Sequence, residues 1–130
     1  MRTFTPDEAN ALLAELRPLV ERLVDRKHRL DEAEEGRRGL LARIGANGGD
    51  ITPSDVAEVT QRVEREAEAV GALVADIQTH GVQIKDLDVG LLDFPWMRDG
   101  EVVLLCWRLG EEEIGYWHGM DEGYAGRKPL

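Results

Sequence analysis

The chain has 130 residues, 42% of them apolar and 32% charged, which suits one globular domain with a strongly charged exterior. Its formal net charge of −10 makes a nucleic-acid backbone or an anionic membrane surface an unfavourable partner, because both recruit Lys and Arg. The single cysteine predicts that there is no intrachain disulfide. The N-terminus has no signal-peptide core, which predicts a cytoplasmic protein. No stretch of ~20 apolar residues is present, so we expect no membrane span.

The first predicted helix begins at Thr5. The Thr5 hydroxyl can cap a free backbone amide, Pro6 occupies a position whose N–H needs no helical partner, and Glu8 completes a capping box. Apolar residues then recur at steps of four and three, with Lys27 filling one place: Ala9, Leu13, Leu16, Val20, Leu23 and Leu30. Pro18 lies inside this pattern, and we expect it to kink the helix without ending it.

A turn and a second helix follow. Residues 45–50, with the sequence Gly-Ala-Asn-Gly-Gly-Asp, predict a turn, and the segment from Thr52 to Asp55 repeats the helix-start pattern. The second apolar stripe comprises Val56, Val59, Val63, Ala67, Val70, Val74 and Ile77. Gly81 predicts the helix end. Residues from about 5 to 81 are therefore expected to form a long antiparallel helical hairpin.

The first predicted helix contains a basic run, and the second contains glutamates that can face it. The first contains Arg22, Arg26, Lys27, Arg29, Arg37, Arg38 and Arg43. The second contains Glu58, Glu64, Glu66 and Glu68. Pairing across the hairpin can neutralise the basic run, so we expect an ion-paired surface and no nucleic-acid partner.

Beyond Gly81 the apolar period changes from about 3.6 to about 2, which predicts β-strands in residues 82–130. Three strands are expected, around Gly90–Pro95, Glu101–Leu109 and Glu113–His118. Asp99-Gly100 is a good hairpin turn, and Gly110 marks the second turn. The predicted fold is a single α+β domain spanning residues 1–130, with a long antiparallel two-helix hairpin followed by a small three-stranded antiparallel sheet.

A three-stranded sheet is too small to cover two long helices. The uncovered part of each apolar stripe needs another partner, because a two-helix hairpin alone leaves much of it in water. A homodimer in which two hairpins form an antiparallel bundle satisfies this need, and so does a helical segment of another protein.

Several motifs of the C-terminal half resemble one protein family. They are Gly90-Leu91-Leu92-Asp93-Phe94-Pro95, Leu105-Cys106-Trp107, Tyr116-Trp117-His118 and Gly123-Tyr124-Ala125-Gly126-Arg127. With the opening Phe4-Thr5-Pro6-Asp7-Glu8-Ala9, they resemble a bacterial family catalogued as domain of unknown function 2203. The resemblance spans nearly the whole chain, implies a shared fold and directs attention to the C-terminal sheet without naming a reaction.

Asp93, Cys106, His118 and the run Glu111-Glu112-Glu113 are the groups that could converge on the sheet, and the metal ligands expected among them are Asp93, Cys106, Glu113 and His118. Carboxylate, thiolate and imidazole groups are all ligands of divalent metal ions. Their spacing matches no paired-ligand motif, so a hydrogen-bonded structural cluster is the alternative interpretation.

The register between the last two predicted strands decides whether Cys106 and His118 meet. A turn of two or four residues places Cys106 beside Trp117, whereas a turn of three residues, or a bulge, places Cys106 on one face with Tyr116 and His118. The sequence leaves both registers open. His118 is also the base that a nucleophilic Cys106 would need, although a lone cysteine in an apolar strand is typical of an inert core residue.

Two functions follow from these patterns. The leading interpretation is a non-enzymatic interaction or oligomerisation module that uses the helical hairpin and carries a polar and aromatic site on the sheet. That site comprises Asp93, Trp107, His118 and Arg127, with Trp117 and Tyr124 as further contacts for a ligand or partner.

The alternative interpretation is a protein that binds a divalent metal ion and could use it as an enzyme. Its ligands are Asp93, Glu113 and His118, and Cys106 is either a fourth ligand or a bystander. A compact aromatic core accounts for the tryptophans without any ligand.

Overall fold

Two long helices and a five-stranded antiparallel sheet make up the computed structural model, which describes residues 1–46 and 50–130. The helices are α1 (Pro6–Ala46) and α2 (Pro53–Gln78). The strands are β1 (Gln83–Asp86), β2 (Leu91–Arg98), β3 (Glu101–Arg108), β4 (Tyr116–His118) and β5 (Lys128–Pro129). The predicted α+β class with a helical hairpin is confirmed, although the sheet has five strands instead of three. None of the helices in the described residues has the length and apolarity needed to cross a bilayer.

Both predicted helix starts are formed by reciprocal capping. The Glu8 amide donates to the Thr5 hydroxyl at 3.1 Å, and the Thr5 amide donates to the Glu8 carboxylate at 2.9 Å. Thr52 and Asp55 make the same two hydrogen bonds at the start of α2, at 2.9 and 3.2 Å. These bonds satisfy amides that have no partner inside a helix, which is why the sequence pattern located both starts.

The first helix is longer than its sequence pattern indicates. It continues through Pro18, as predicted, and also through Gly45 and Ala46, where the composition predicts a turn. The turn prediction is wrong for these two residues, because a glycine in a helix costs only about 1 kcal/mol relative to alanine. Residues 47–49 of the predicted turn lie outside the described residues.

The apolar stripes of the helices pack on one face of the sheet. In α1 the buried members are Ala9, Leu13, Leu16, Val20 and Leu23, and in α2 they are Val70 and Ile77. The sheet contributes Leu92, Phe94, Leu105 and Trp107, which alternate with other residues along β2 and β3. This side of the sheet is termed the helix face. Its apolar side chains form the core of the protein.

The far part of the hairpin extends beyond the sheet. Lys27 of α1 contacts Asp88, in the turn before β2, at 3.0 Å, and α1 then continues beside α2. A 41-residue helix is about 60 Å long, whereas a sheet with eight-residue strands measures less than about 30 Å in either direction. In this part of the hairpin, Glu66 of α2 lies 3.5 Å from Arg26 of α1. The neighbouring Ala67 is exposed, so the prediction that it belongs to the apolar stripe is wrong.

The strands follow one another across the sheet in chain order, and all neighbours are antiparallel. The predicted Asp99-Gly100 turn joins β2 to β3, with φ of 50° and 83° at its two residues, as a type I′ hairpin turn requires. β3 is the central strand, which explains its apolar run without alternation. The two strands missing from the sequence analysis are the edge strands β1 and β5, which are too short to show a period of two.

Candidate metal centre

The strand register places Asp93, Cys106 and His118 on the side of the sheet that faces away from the helices. Asp93 pairs with Cys106, Cys106 pairs with Tyr116, and His118 lies two residues beyond Tyr116. Because side chains alternate along a strand, these four residues share one side, which is termed the outer face. The connection from β3 to β4 has an odd number of residues, 109–115, and this selects the register in which Cys106 and His118 share a face.

The three side chains converge and are almost completely buried. A carboxylate oxygen, the thiol sulfur and an imidazole nitrogen lie within 4.8 Å of one another. Asp93, Cys106 and His118 are 1%, 0% and 2% exposed. A carboxylate and an imidazole buried this deeply are uncommon unless polar partners surround them, and here they partner each other.

Both ring nitrogens of His118 have partners. Nδ1 lies 2.9 Å from the carbonyl oxygen of Gly119, and Nε2 lies 3.0 Å from Asp93 Oδ1. Since a carbonyl oxygen only accepts, Nδ1 carries the proton of the first hydrogen bond. In the neutral ring the Nε2 lone pair then faces Asp93 and the cluster. Metal-ligating histidines have this orientation, with the other nitrogen donating to a backbone carbonyl.

The surroundings of Cys106 argue against thiol catalysis. Burial, followed by the negative charge of Asp93, raises the pKa of the Cys106 thiol to about 12, so almost no thiolate is present at neutral pH. A catalytic cysteine needs a lowered pKa and a base that takes its proton. A bound divalent cation would favour the thiolate here, because the ion attracts the deprotonated sulfur.

Glu113 does not join this cluster. It lies in the connection between β3 and β4, and its side chain is exposed. The next residue, Ile114, is buried in the helix-face core, and its amide donates to Asn10 Oδ1 of α1 at 2.8 Å. Glu113 stands in a bend, faces solvent and is not among the ligand atoms that converge in the cluster. This corrects the predicted ligand set, in which Glu113 stood beside Asp93 and His118.

Trp107 and Trp117 lie on the helix face. Trp107 is buried in the core, and its Nε1 donates to the carbonyl oxygen of Glu111 at 3.0 Å. Trp117 packs against Arg98 and Lys128, whose cationic groups lie 4.3 and 4.6 Å from its ring. Each tryptophan is the chain neighbour of a cluster residue and therefore points to the opposite side of the sheet. This corrects the predicted polar and aromatic site by removing both tryptophans from it.

Arg127 lies over the outer face next to the cluster. Its Nη2 donates to the carbonyl oxygen of Cys106 at 3.2 Å and approaches both carboxylate oxygens of Glu111 at 2.9 Å. The guanidinium also lies over the rings of Tyr116 and Tyr124, 4.0 and 4.6 Å from their centroids. No sequence pattern pairs Glu111 with Arg127, because the two residues meet only when the chain folds back over the sheet.

The cluster offers one oxygen, one sulfur and one nitrogen ligand. Zn²⁺ accepts this mixture in tetrahedral geometry, with bonds of about 2.0–2.3 Å. Ligand atoms around such an ion are about 3.3–3.8 Å apart, so atoms within 4.8 Å of one another need to move by about 1 Å or less. Mg²⁺ and Ca²⁺ prefer oxygen ligands throughout and match this set poorly.

Comparison with known proteins gives a family but no activity. A family model described as "Uncharacterized conserved protein (DUF2203)" matches residues 2–130, a range that includes the complete cluster. No curated protein and no solved structure matches the chain. The resemblance carried by the C-terminal motifs is confirmed, and the function has to be inferred from the geometry of the site.

Proposed function

The chain belongs to the DUF2203 family, and we propose that it binds one Zn²⁺ ion through Asp93, Cys106 and His118. The convergence of these three side chains on the outer face is the observation that carries the proposal. Each comes from a different strand, so a bound ion would link β2, β3 and β4 to one another.

Two features support a metal ion over a purely hydrogen-bonded cluster. A zinc site takes one carboxylate oxygen, the thiol sulfur and one imidazole nitrogen as ligands, and these three atoms converge within 4.8 Å of one another. A hydrogen bond between His118 Nε2 and Asp93 also needs one further proton, because Nδ1 already carries the proton of the neutral ring, whereas a metal ion accepts the Nε2 lone pair directly. A divalent cation compensates the charges of the carboxylate and the thiolate together.

The burial of the ligands favours a structural ion over a catalytic one. A catalytic zinc keeps one coordination position open to water and substrate. Here each ligand residue is at most 2% exposed, so the fourth ligand of a tetrahedral ion, such as a water molecule, would be enclosed with the ion and closed to a substrate. The ion would stabilise the small sheet because it binds the folded state and has no preformed site in the unfolded chain. The proposed activity is therefore metal-dependent stabilisation of a non-enzymatic protein.

Cobalt substitution tests this proposal. The chain has one cysteine, so any thiolate-to-Co²⁺ charge-transfer band in its absorption spectrum can be assigned to Cys106. We expect one equivalent of Co²⁺ to produce this band together with tetrahedral ligand-field bands, and Cys106→Ser to lose the charge-transfer band. Saturation with Co²⁺ that produces no thiolate band in the wild-type protein would contradict the proposed ligand set.

The hairpin provides a second candidate function: we propose that it pairs with the hairpin of a second copy of this chain. The part beyond the sheet exposes Leu41 and Ile44, which are 45% and 37% exposed. In an antiparallel bundle of two hairpins, the far end of α1, where residues 36–46 include three arginines and no acidic residue, can lie beside the acidic α2 of the other copy. This charge complementarity is the reason for choosing a second copy as the partner.

Light scattering after size exclusion tests the pairing. We expect a mass of twice 14.5 kDa for the wild-type protein at micromolar concentration. Replacing both Leu41 and Ile44 by Glu is expected to give a monomer, because four carboxylates would enter the dimer interface. Replacing exposed Met97 and Met120 of the sheet region by Glu serves as the matched control and should leave the dimer intact. A monodisperse wild-type monomer would contradict the pairing.

A further inference from the structure

One segment covers the outer face above the cluster. Residues 119–127 leave β4 directly after His118 and return to pair with β4 through β5. Within this segment, Tyr124 lines a small cavity together with Leu91 and Arg108, two residues of the outer face. Residues 119–127 are termed the cover segment. Gly119 and Arg127, at its two ends, contact His118 and Cys106 of the cluster.

Arg127 fastens the end of the cover segment to the sheet. Its side chain is 11% exposed, and both oxygens of the Glu111 carboxylate lie 2.9 Å from its Nη2. The same nitrogen donates to the carbonyl oxygen of Cys106, so Arg127 contacts the backbone of one proposed ligand directly. Hydrogen bonds between two charged groups are stronger than neutral ones, and partial burial shields this pair from solvent screening.

A second ion pair of the cover segment is weaker. Glu122 accepts from Lys128 at 2.7 Å and from the Gly119 amide at 3.0 Å. The side chains of Lys128 and Glu122 are 47% and 41% exposed, and ion pairs that exposed contribute little. Of these two ion pairs, the one between Arg127 and Glu111 is therefore the stronger contact of this segment.

We propose that Arg127 is a positioning residue of the metal site that controls how fast the ion exchanges with solvent. This inference rests on the proposed Zn²⁺ site. The ligands are at most 2% exposed and the cover segment contacts two of them, so we expect an ion to enter and leave by movement of this segment. The segment also begins with Gly119, whose carbonyl oxygen orients His118. Movement of the cover segment therefore opens a path for the ion to solvent, and it also weakens the hydrogen bond that orients His118.

The experiment measures how fast a chromophoric chelator removes Zn²⁺ from the loaded full-length protein. We expect Arg127→Ala to accelerate release by about tenfold or more, as outer-shell changes at metal sites commonly do to affinity. Glu111→Gln removes the same ion pair from the other side without touching Arg127, and it should accelerate release as well. With Co²⁺, both variants should retain the thiolate band, because the three ligands are unchanged.

Thr52→Ala is the matched control. It removes the cap of α2, far from the cluster, and should weaken the fold without changing the release rate. Release at the wild-type rate from both Arg127→Ala and Glu111→Gln would overturn the role of Arg127 while leaving the metal site in place. Equal acceleration by Thr52→Ala would also overturn it, because release would then follow global unfolding. A wild-type protein that takes up no Zn²⁺ would overturn the metal site and this inference together.

Discussion

His118→Ala is expected to abolish stoichiometric Zn²⁺ binding while the helical hairpin stays folded. The substitution removes the ligand whose Nε2 faces Asp93 and leaves only two ligands from the proposed set of three. Loss of an outer-shell partner typically costs 10–100-fold in metal affinity, so loss of a ligand should cost more than about 100-fold. Competition against a chelator of known affinity measures this change.

The matched control is His28→Ala, which removes an exposed histidine on α1 and should bind Zn²⁺ like the wild-type protein. Far-ultraviolet circular dichroism reports whether the helices persist in each variant. Asp93→Asn provides a second test, because it keeps the size of the side chain and removes the anionic ligand. Full Zn²⁺ affinity in either His118→Ala or Asp93→Asn would contradict the proposed ligand set.

Gly90→Ala is expected to reduce the free energy of unfolding by about 2–5 kcal/mol. Gly90 has φ of +73°, and a Cβ atom there would lie 2.8 Å from Val20 Cγ1 and 2.9 Å from Leu109 Cβ. Its backbone cannot easily shift, since its amide donates to the Asp86 carbonyl and its carbonyl accepts from the Leu109 amide. The substitution therefore combines a strained backbone with overpacking where α1 meets the sheet. Chemical denaturation measures the change.

Two other glycines separate these contributions. Gly100 also has positive φ, at +83°, but a Cβ atom there would meet nothing within 4 Å. Gly100→Ala should therefore cost only the backbone term of about 1–2 kcal/mol. Gly71 lies in α2 with open space around it, so Gly71→Ala should stabilise the protein by about 1 kcal/mol. A Gly90→Ala variant no less stable than Gly100→Ala would show that the close packing at Gly90 is unimportant.

The helices were predictable because their signals are local. Thr5 with Glu8, and Thr52 with Asp55, make their capping bonds over three residues, and the apolar stripe of α1 reflects the helical repeat alone. The sheet was less predictable. β5 has two residues, and it exists only because residues 119–127 return to β4, a long-range event that leaves no periodic pattern.

The sequence indicates which types of residue form the site, but not which of them meet in the folded protein. Asp93, Cys106 and His118 are among the ligand-type residues that the sequence offers in the C-terminal region, yet their meeting depends on the register of β3 and β4. That register also turns Trp107 to the other face, and the burial of Ile114 turns Glu113 to solvent. Since a shift of one residue would exchange the faces, the sequence pattern alone leaves such assignments undecided.

Metal content of the wild-type protein tests the central claim most directly. Untagged protein, exposed to Zn²⁺ and freed of excess ion, is analysed by elemental analysis and by native mass spectrometry, which also reports the number of chains in the assembly. We predict about one Zn²⁺ per chain, and its removal by a strong chelator should lower the melting temperature because the ion binds only the folded state. A folded protein that remains metal-free after exposure to excess Zn²⁺ would contradict the account and leave Asp93, Cys106 and His118 as a hydrogen-bonded cluster.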